Sequence, residues 1–182
     1  VRHDSISWEA PDVEPHAIAP SPGGSAMTTI KHYMSDTVFT CHPRTPLPEV
    51  ARIMWDKDCG FVPVVKPETG ELVGVLTDRD ICMAAFTKGR ALATIHTEDV
   101  MARQVHACRE DDDLRAVHEI MREHQVRRLP VTDDAQRPVG VISVNDLAVH
   151  ALDEEARSEL VDVGRTLGEV SRHRLPVLTS AT

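Results

Sequence analysis

Two seven-residue segments combine residue types that could bind a phosphate and a sugar. They are Gly-Val-Leu-Thr-Asp-Arg-Asp at residues 74–80 and Gly-Val-Ile-Ser-Val-Asn-Asp at residues 140–146. In each, an apolar stretch typical of a strand leads into the start of a helix, where free backbone N–H groups and the helix dipole attract an anion. The hydroxyl can donate to a phosphate oxygen, and the aspartate one helical turn later can accept hydrogen bonds from a ribose diol. The predicted ligand-binding residues of the two segments are Thr77, Asp80, Ser143 and Asp146.

The same spacing also fits a purely structural role. A hydroxyl residue followed three positions later by an acid is a capping box, which satisfies the free N–H groups at the start of a helix. Both roles can coexist if a ligand replaces part of the cap. The occurrence of the motif in two equivalent places favours a ligand role for at least one of them.

Basic residues are distributed unequally around the two segments. Arg79 lies inside the first, which favours the first segment as the stronger anion site. Arg127 and Arg128 precede a predicted strand of the second half, and a guanidinium suits paired hydrogen bonds to phosphate. Adjacent residues of a strand face opposite sides, so only one of the two is expected to face a ligand. The alternative is a surface arginine pair near Glu119 and Glu123.

The two segments end two copies of an internal repeat. Met34 and Met101, like Pro63 and Pro130, lie 67 residues apart, and the offset falls to 66 after the prolines. Such a fixed register over many apolar positions indicates two copies of one structural unit. The further matched pairs are Val38 and Val105, Cys41 and Cys108, Leu47 and Leu114, Val50 and Val117, Ile53 and Ile120, and Met54 and Met121.

Each copy predicts a strand, a helix, two further strands and a second helix. Apolar residues at i, i+3, i+4 and i+7 from Leu47, and again from Leu114, give the first helix one apolar face. The strands are predicted at 61–65 and 72–76 in the first copy, and at 128–132 and 139–142 in the second. Their Val, Ile and Leu runs indicate burial on both faces. We expect each sheet to pack on the helices of the other copy.

These patterns resemble a known family. Val62-Pro63-Val64-Val65 before the first segment, and Leu129-Pro130-Val131 before the second, make each copy resemble a cystathionine-β-synthase (CBS) domain, and the tandem resembles a Bateman module. The resemblance implies an α/β fold of two pseudo-symmetric CBS domains at 28–90 and 91–152. Each domain would be a small, mostly buried three-stranded sheet with two helices. The resemblance also implies a flat homodimer that forms through the helical faces.

What the resemblance implies for function is a stand-alone CBS-pair sensor that is not an enzyme and needs no cofactor. It would bind an adenine nucleotide (AMP, ADP or ATP, with S-adenosylmethionine as a further candidate) between its two domains, and could regulate a protein partner. In the family the hydroxyl and aspartate of the motif contact phosphate and ribose, and the adenine lies against the strand before the first helix. The ligand-binding residues that this adds are Val38, Cys41, Val62, Pro63, Val105, Cys108, Leu129 and Pro130.

Composition limits the other classes of function. The net charge of −9 argues against nucleic-acid binding, which needs clustered Lys and Arg, and only 3% of residues are aromatic, so the core must be aliphatic. No apolar run is long enough for a membrane helix, and residues 1–27 lack the pattern of a signal peptide and are expected to form a disordered leader. The four cysteines include no Cys-x-x-Cys pair, which favours reduced thiols in the cytoplasm.

Three alternatives compete with the nucleotide sensor. A metal or redox site is suggested by ten His, four Cys and the Cys41-His42 pair, but no ligand spacing supports a closed tetrahedral site. An enzyme would need a catalytic motif, and none of the common ones is present; His118 and His124 are expected at the surface. A protein-interaction module with degenerate ligand sites stays open.

The segment 153–182 lies outside the resemblance. Ala156, Leu160, Val163, Leu167 and Val170 are spaced by three or four residues, which predicts a helix over about 153–172 with a heptad-like apolar seam. Gly164 and Gly168 weaken it by roughly 1 kcal/mol each, so the helix needs a partner. The favoured partner is the CBS core or a second copy, and the alternative is a regulated protein.

Overall fold

The structure is a computed structural model that describes residues 29–152 and 160–172. The predicted leader, the start of the predicted C-terminal helix and the residues beyond 172 lie outside the described residues. No helix within the described ranges is long and apolar enough to cross a membrane.

The first repeat contains helix α1, strands β1 and β2, and helix α2. Their bounds are Leu47–Asp56, Phe61–Val65, Leu72–Thr77 and Asp78–Thr87. β1 and β2 pair antiparallel. The predicted first strand is reduced to a single parallel bridge between Cys41 and Val64. A short 3₁₀ turn at Ile30–His32 precedes this repeat, and two more at Leu92–Thr94 and Thr97–Asp99 follow it.

The second repeat has the same order, with its first strand formed. β3, α3, β4, β5 and α4 span Cys108–Arg109, Leu114–His124, Arg128–Thr132, Pro138–Ser143 and Val144–His150. The sheet order is β3-β4-β5, with β3 parallel to β4 and β4 antiparallel to β5. The predicted α/β fold of two pseudo-symmetric units is therefore confirmed.

Each sheet packs on the helices of its own repeat, so the expectation of packing on the other copy's helices was wrong. Val50, Val62 and Ile81 share one aliphatic core, and Val117, Leu129 and Leu147 share the other. α2 follows β2 at Thr77 and α4 follows β5 at Ser143 without a loop, and this short connection holds the apolar face of each of these two helices against the adjacent sheet.

The segments that precede each repeat's first helix are what cross between the repeats. Ile30 lies in the core of the second repeat, while Ile95 and Met101 lie in the core of the first. Backbone bridges join Ser35 to Val141 and Val75 to Ala102. The predicted division into 28–90 and 91–152 stays a proposal about domain limits, since each core draws residues from across it.

The motif glycines permit this crossing. A Cβ atom at Gly140 would lie 2.5 Å from Met34 Sδ, and one at Gly74 would lie 2.7 Å from Met101 Sδ. Backbone carbonyls of Ser35 and Ala102 are 3.1 Å from the same two positions. Because both the side chain and the backbone of the crossing segment press on the glycine, a larger residue would displace it.

The C-terminal helix, α5, spans Leu160–Val170 and packs on α3 and α4. Its buried residues are Val163, Thr166 and Val170, whereas Leu160 and Leu167 are 41% and 50% exposed. The predicted seam was therefore only partly right, and Ala156 lies outside the described residues. Thr166 replaces the leucines in the buried face because its hydroxyl has a partner, His118 Nδ1, at 2.8 Å.

Candidate functional site

A cavity of about 390 Å³ lies where the two repeats meet. Its size falls within the range of small-molecule sites. The antiparallel bridge between Ser35 and Val141 places the crossing segment beside β5, and both residues line the cavity. Thr37 of the crossing segment and Ser143 at the end of β5 line it as well. The site is thus built by the crossing segment and belongs to neither repeat alone.

The cavity wall carries two phenyl rings, those of Phe39 and Phe61, and two cations. Phe39 and Lys57 both line it, with Lys57 Nζ 5.0 Å from the centre of the Phe39 ring, and Arg128 enters from the second repeat. Within 29–152 and 160–172, Asp58 is the one carboxylate that lines the cavity. Two cations against one anion favour a negatively charged ligand, and a phenyl face suits an aromatic base.

Both predicted motifs form closed capping boxes. Asp80 Oδ2 accepts from Thr77 N at 2.9 Å and from Thr77 Oγ1 at 2.7 Å, and Asp146 Oδ2 accepts from Ser143 N at 2.7 Å and Ser143 Oγ at 2.6 Å. The backbone N–H of each aspartate donates back to the hydroxyl. The boxes use one carboxylate oxygen, Oδ2, and leave Oδ1 outside the box. The structural role weighed from the sequence is therefore present at both motifs.

The cavity adjoins the second motif. Ser143 lines it, whereas Thr77 does not, and Asp146 lies behind Ser143 as its capping partner. Arg79, which favoured the first motif in the sequence, is exposed on α2, where its backbone N–H bonds to Asp78 Oδ1.

The two adjacent arginines diverge, as expected for neighbours at a strand's start. Arg128 lines the cavity, and Arg127 points to the end of α5, where its Nη2 lies 3.5 Å from Ser171 Oγ. Of the two arginines, Arg128 is therefore the one that faces the cavity.

Most of the predicted apolar contact residues lie in the cores. Val62 and Cys41 are buried in the first core, and Leu129 and Cys108 in the second. Val105 is buried as well, and Val38 is half-buried. Pro63 lines the cavity, because strand alternation turns it away from the core that holds its neighbours. Pro130 holds the corresponding position in the second repeat and is buried there.

Nine further residues line the cavity and were not predicted as ligand-binding: Ser35, Thr37, Phe39, Lys57, Asp58, Cys59, Gly60, Phe61 and Val141. A usable signal existed, because Lys57 and Gly60 precede β1 at the positions that His124 and Arg127 hold before β4. Phe39 is also one of only three phenylalanines in the chain. Lys57 shortly before β1 and Arg128 at the start of β4 are thus basic residues beside a core strand that line the cavity.

The equivalent region of the other half has a different chemistry. His106 and His124 stand at the repeat positions of Phe39 and Lys57, and their rings stack 3.5 Å apart with an interplanar angle of 9°. Beside them Gln125 Nε2 donates to Glu169 O at the end of α5. The two repeats share a backbone fold but therefore differ in the side chains at these equivalent positions.

The thiols and imidazoles do not assemble a metal site in the described residues. Within 29–152 and 160–172 no group of three or more His, Cys, Asp or Glu side chains could hold a metal ion. Burial raises the pKa of Cys41 to about 11 and moves the pKa of Cys108 further in the same direction, so both are thiols at neutral pH. His42 Nδ1 lies 3.1 Å from the carbonyl of Val65.

The predicted surface position of His118 was wrong. Its side chain is only 3% exposed, because α5 covers it through Thr166. His124 is half-buried against His106.

Comparison with known proteins gives a consistent picture. The CBS domain family model matches residues 30–86 and 98–153. The CBS domain-containing protein YhcV of Bacillus subtilis is 35% identical over 138 residues, which are 75% of this chain and 96% of that protein. The L-aspartate semialdehyde sulfurtransferase of Methanocaldococcus jannaschii is 29% identical over 127 residues, but these cover 70% of this chain and only 24% of that enzyme.

A solved structure is similar over the same region. The CBS domain pair of protein MJ0100, in complex with 5′-methylthioadenosine and S-adenosyl-L-methionine, superposes with a TM-score of 0.61 at 28% identity. The similarity covers 68% of this chain and 98% of that one.

Proposed function

Because this chain belongs to the CBS domain family, with two CBS domains in tandem, we propose that it is a regulatory sensor that binds an adenine nucleotide in the cavity between its repeats. The observation that carries the proposal is the composition of that cavity, where Phe39, Lys57, Arg128 and Ser143 converge from both repeats. The adenosine derivatives bound by the MJ0100 pair support the same class of ligand.

Each part of a nucleotide has a suitable partner in the cavity. The Phe39 ring offers a stacking face for the adenine, and Thr37 and Pro63 flank it. Lys57 and Arg128 supply positive charge for a phosphate, and the N-terminus of α4 behind Ser143 adds its dipole. Asp146 does not itself line the cavity but lies directly behind Ser143, and we assign its Oδ1, which the capping box does not use, as the acceptor for a ribose hydroxyl. S-adenosylmethionine fits less well, because its sulfonium would face the two cations.

We place the protein as a homodimer in the cytoplasm, where binding would alter its contact with a regulated protein. All four cysteines are free thiols, as a reducing compartment requires. The match to an enzyme covers only a quarter of that enzyme, so it carries no catalytic activity to this chain.

Isothermal titration with AMP, ADP, ATP and S-adenosylmethionine tests the proposal, with GMP and inorganic phosphate as controls. We expect a nucleotide of the adenine series to bind, with at least tenfold preference over GMP. Ligand at 100 times its dissociation constant should raise stability by about 2.7 kcal/mol. Binding of phosphate alone with equal affinity, or of none of the adenosine compounds at millimolar concentration, would contradict the proposal and favour the protein-interaction module with degenerate sites.

A further inference from the structure

The helical faces of the two repeats are equivalent in sequence position but not in what covers them. On the second repeat, α5 lies over α3 and α4 and buries Val163, Thr166 and Val170. On the first repeat, the groove between α1 and α2 is a cavity of about 370 Å³ lined by Ala51, Met54, Trp55 and Ile81.

The two grooves correspond residue by residue. Ala51 and Trp55 of the open groove stand at the repeat positions of His118 and Arg122, which α5 contacts through Thr166. Ile81 similarly matches Leu147, which shares a core with Val163. A groove between the two helices of a repeat can therefore accept a third helix. In the first repeat, Ala51 and Trp55 replace the two polar side chains that bond to Thr166 in the second. The groove of the first repeat instead presents Trp55, which is 86% exposed, and α2 carries Phe86, which is 84% exposed, one turn beyond the lining residue Cys82.

α5 has more apolar surface than its own repeat covers. At about 100° per residue, Val163, Thr166 and Val170 form the buried sector, and Leu167, Leu160, Gly164, Gly168 and Val161 follow it around the helix. Leu160, Val161 and Leu167 are exposed, and a Cβ at Gly164 or Gly168 would meet no described residue within 4 Å. Charged side chains occupy only the remaining sector. A helix that is apolar over so wide an arc is typical of one buried on two sides.

We propose that the uncovered sector of α5 packs into the α1–α2 groove of a second copy, so that α5 is enclosed between its own second repeat and its partner's first repeat. A twofold axis then makes the contact twice, because each copy carries one groove and one α5. This inference deepens the homodimer proposed above by assigning the surfaces and their antiparallel order.

The available area is sufficient for such a pairing. An aromatic side chain buries roughly 150–250 Å², so Trp55 and Phe86 of two copies would bury roughly 600–1,000 Å². The α5 side chains opposite them contribute a comparable share, which brings the total into the range of stable interfaces, roughly 1,200–2,000 Å². The glycines at 164 and 168 leave room for the bulky rings. In the described residues every exposed large apolar side chain lies on or just after a helix of these faces.

Charge variants test the pairing in the full chain. Trp55→Lys and Val161→Glu change exposed side chains, so each variant should fold, and each alone should weaken the dimer at least tenfold in sedimentation analysis. Mixed together they should recover a heterodimer, since Lys then faces Glu in one contact and the other contact is native. Ala135→Glu, an exposed change in the turn between β4 and β5, should leave the dimer unchanged.

Disulfide trapping locates the contact. Cys82 lines the open groove, so the variant Gly168→Cys should form an intermolecular disulfide with it under mild oxidation, and Cys82→Ser in the same chain should abolish this product. A dimer whose main product is Cys82 joined to Cys82, or whose mixed charge variants stay apart, would overturn the inference while the homodimer stands. A wild-type monomer at 50 μM or more would overturn both, and nucleotide titration reports separately on the ligand site.

Discussion

Met34 of the first repeat packs against Gly140 of the second, so closely that a Cβ atom added to the glycine would lie 2.5 Å from the methionine Sδ. The contact fixes the crossing segment beside β5. The contact also adjoins the cavity between the repeats. Ser35, the residue after Met34, pairs with Val141, and both line that cavity. One glycine of the motif therefore adjoins both a close packing contact and the wall of the proposed ligand site.

We predict that Gly140→Ala destabilises the protein and weakens ligand binding. The added methyl group must displace Met34 and the Ser35 carbonyl, which should cost about 1–3 kcal/mol as overpacking. Urea denaturation measures the loss of stability. Ala135→Ser, an exposed change in the turn between β4 and β5, is the control and should leave the stability within about 0.5 kcal/mol of wild type. Equal stability of Gly140→Ala and wild type would show that the close approach is not needed.

The repeat, the helices and the strands could be predicted because they depend on local apolar periodicity. The lining of the cavity between the repeats could not be predicted in this way. Phe39 and Ser143 line the same cavity because the segment around Ser35 crosses to the second repeat. His118 was misplaced for the same reason. Nothing in the sequence of α3 reveals that Thr166, 48 positions away, will cover it. Long-range contacts between non-equivalent parts of the repeats are what periodicity cannot report.

We predict that Arg128 and its neighbour Arg127 differ sharply in their effect on nucleotide affinity. Arg128→Ala removes a charged partner for phosphate, worth about 1.5–3 kcal/mol, so affinity should fall roughly 10- to 150-fold. Arg127→Ala removes the same charge from a side chain that points to Ser171, so affinity should stay within about threefold of wild type. Calorimetric titration of both variants decides the matter. Equal losses would mean a general effect of net charge.

We predict that Ser143→Ala and Thr77→Ala have similar costs in stability but different costs in binding. Each removes the hydroxyl of a closed capping box, which should lower the free energy of unfolding by about 1 kcal/mol. Only Ser143 lines the cavity, so only Ser143→Ala should reduce nucleotide affinity. Thermal denaturation and titration of the same samples separate the two effects. A loss of affinity in Thr77→Ala alone would place the ligand at the first motif instead.

We predict that acidification loosens α5 through His118. Burial lowers the pKa of this histidine, while the nearby Asp162 of α5 raises it and Arg122 of α3 lowers it. Among the residues that the structure describes, its buried Nε2 has no hydrogen-bond partner, and its Nδ1 bonds to the Thr166 hydroxyl. A proton would therefore add a buried charge at the contact between α3 and α5.

The folded protein binds this proton less readily than the unfolded chain. The contribution of neutral His118 to the free energy of unfolding is therefore fully present above the unfolded pKa of about 6.5. It is lost as the pH falls below that value, with a slope of at most about 1.4 kcal/mol per pH unit. His118→Gln keeps an amide that can bond to Thr166 but cannot titrate. Urea denaturation and limited proteolysis at α5 between pH 5 and 8 should therefore show a steeper decline in wild type than in His118→Gln. Parallel curves for the two proteins would show that carboxylates elsewhere, and not His118, set the acid response.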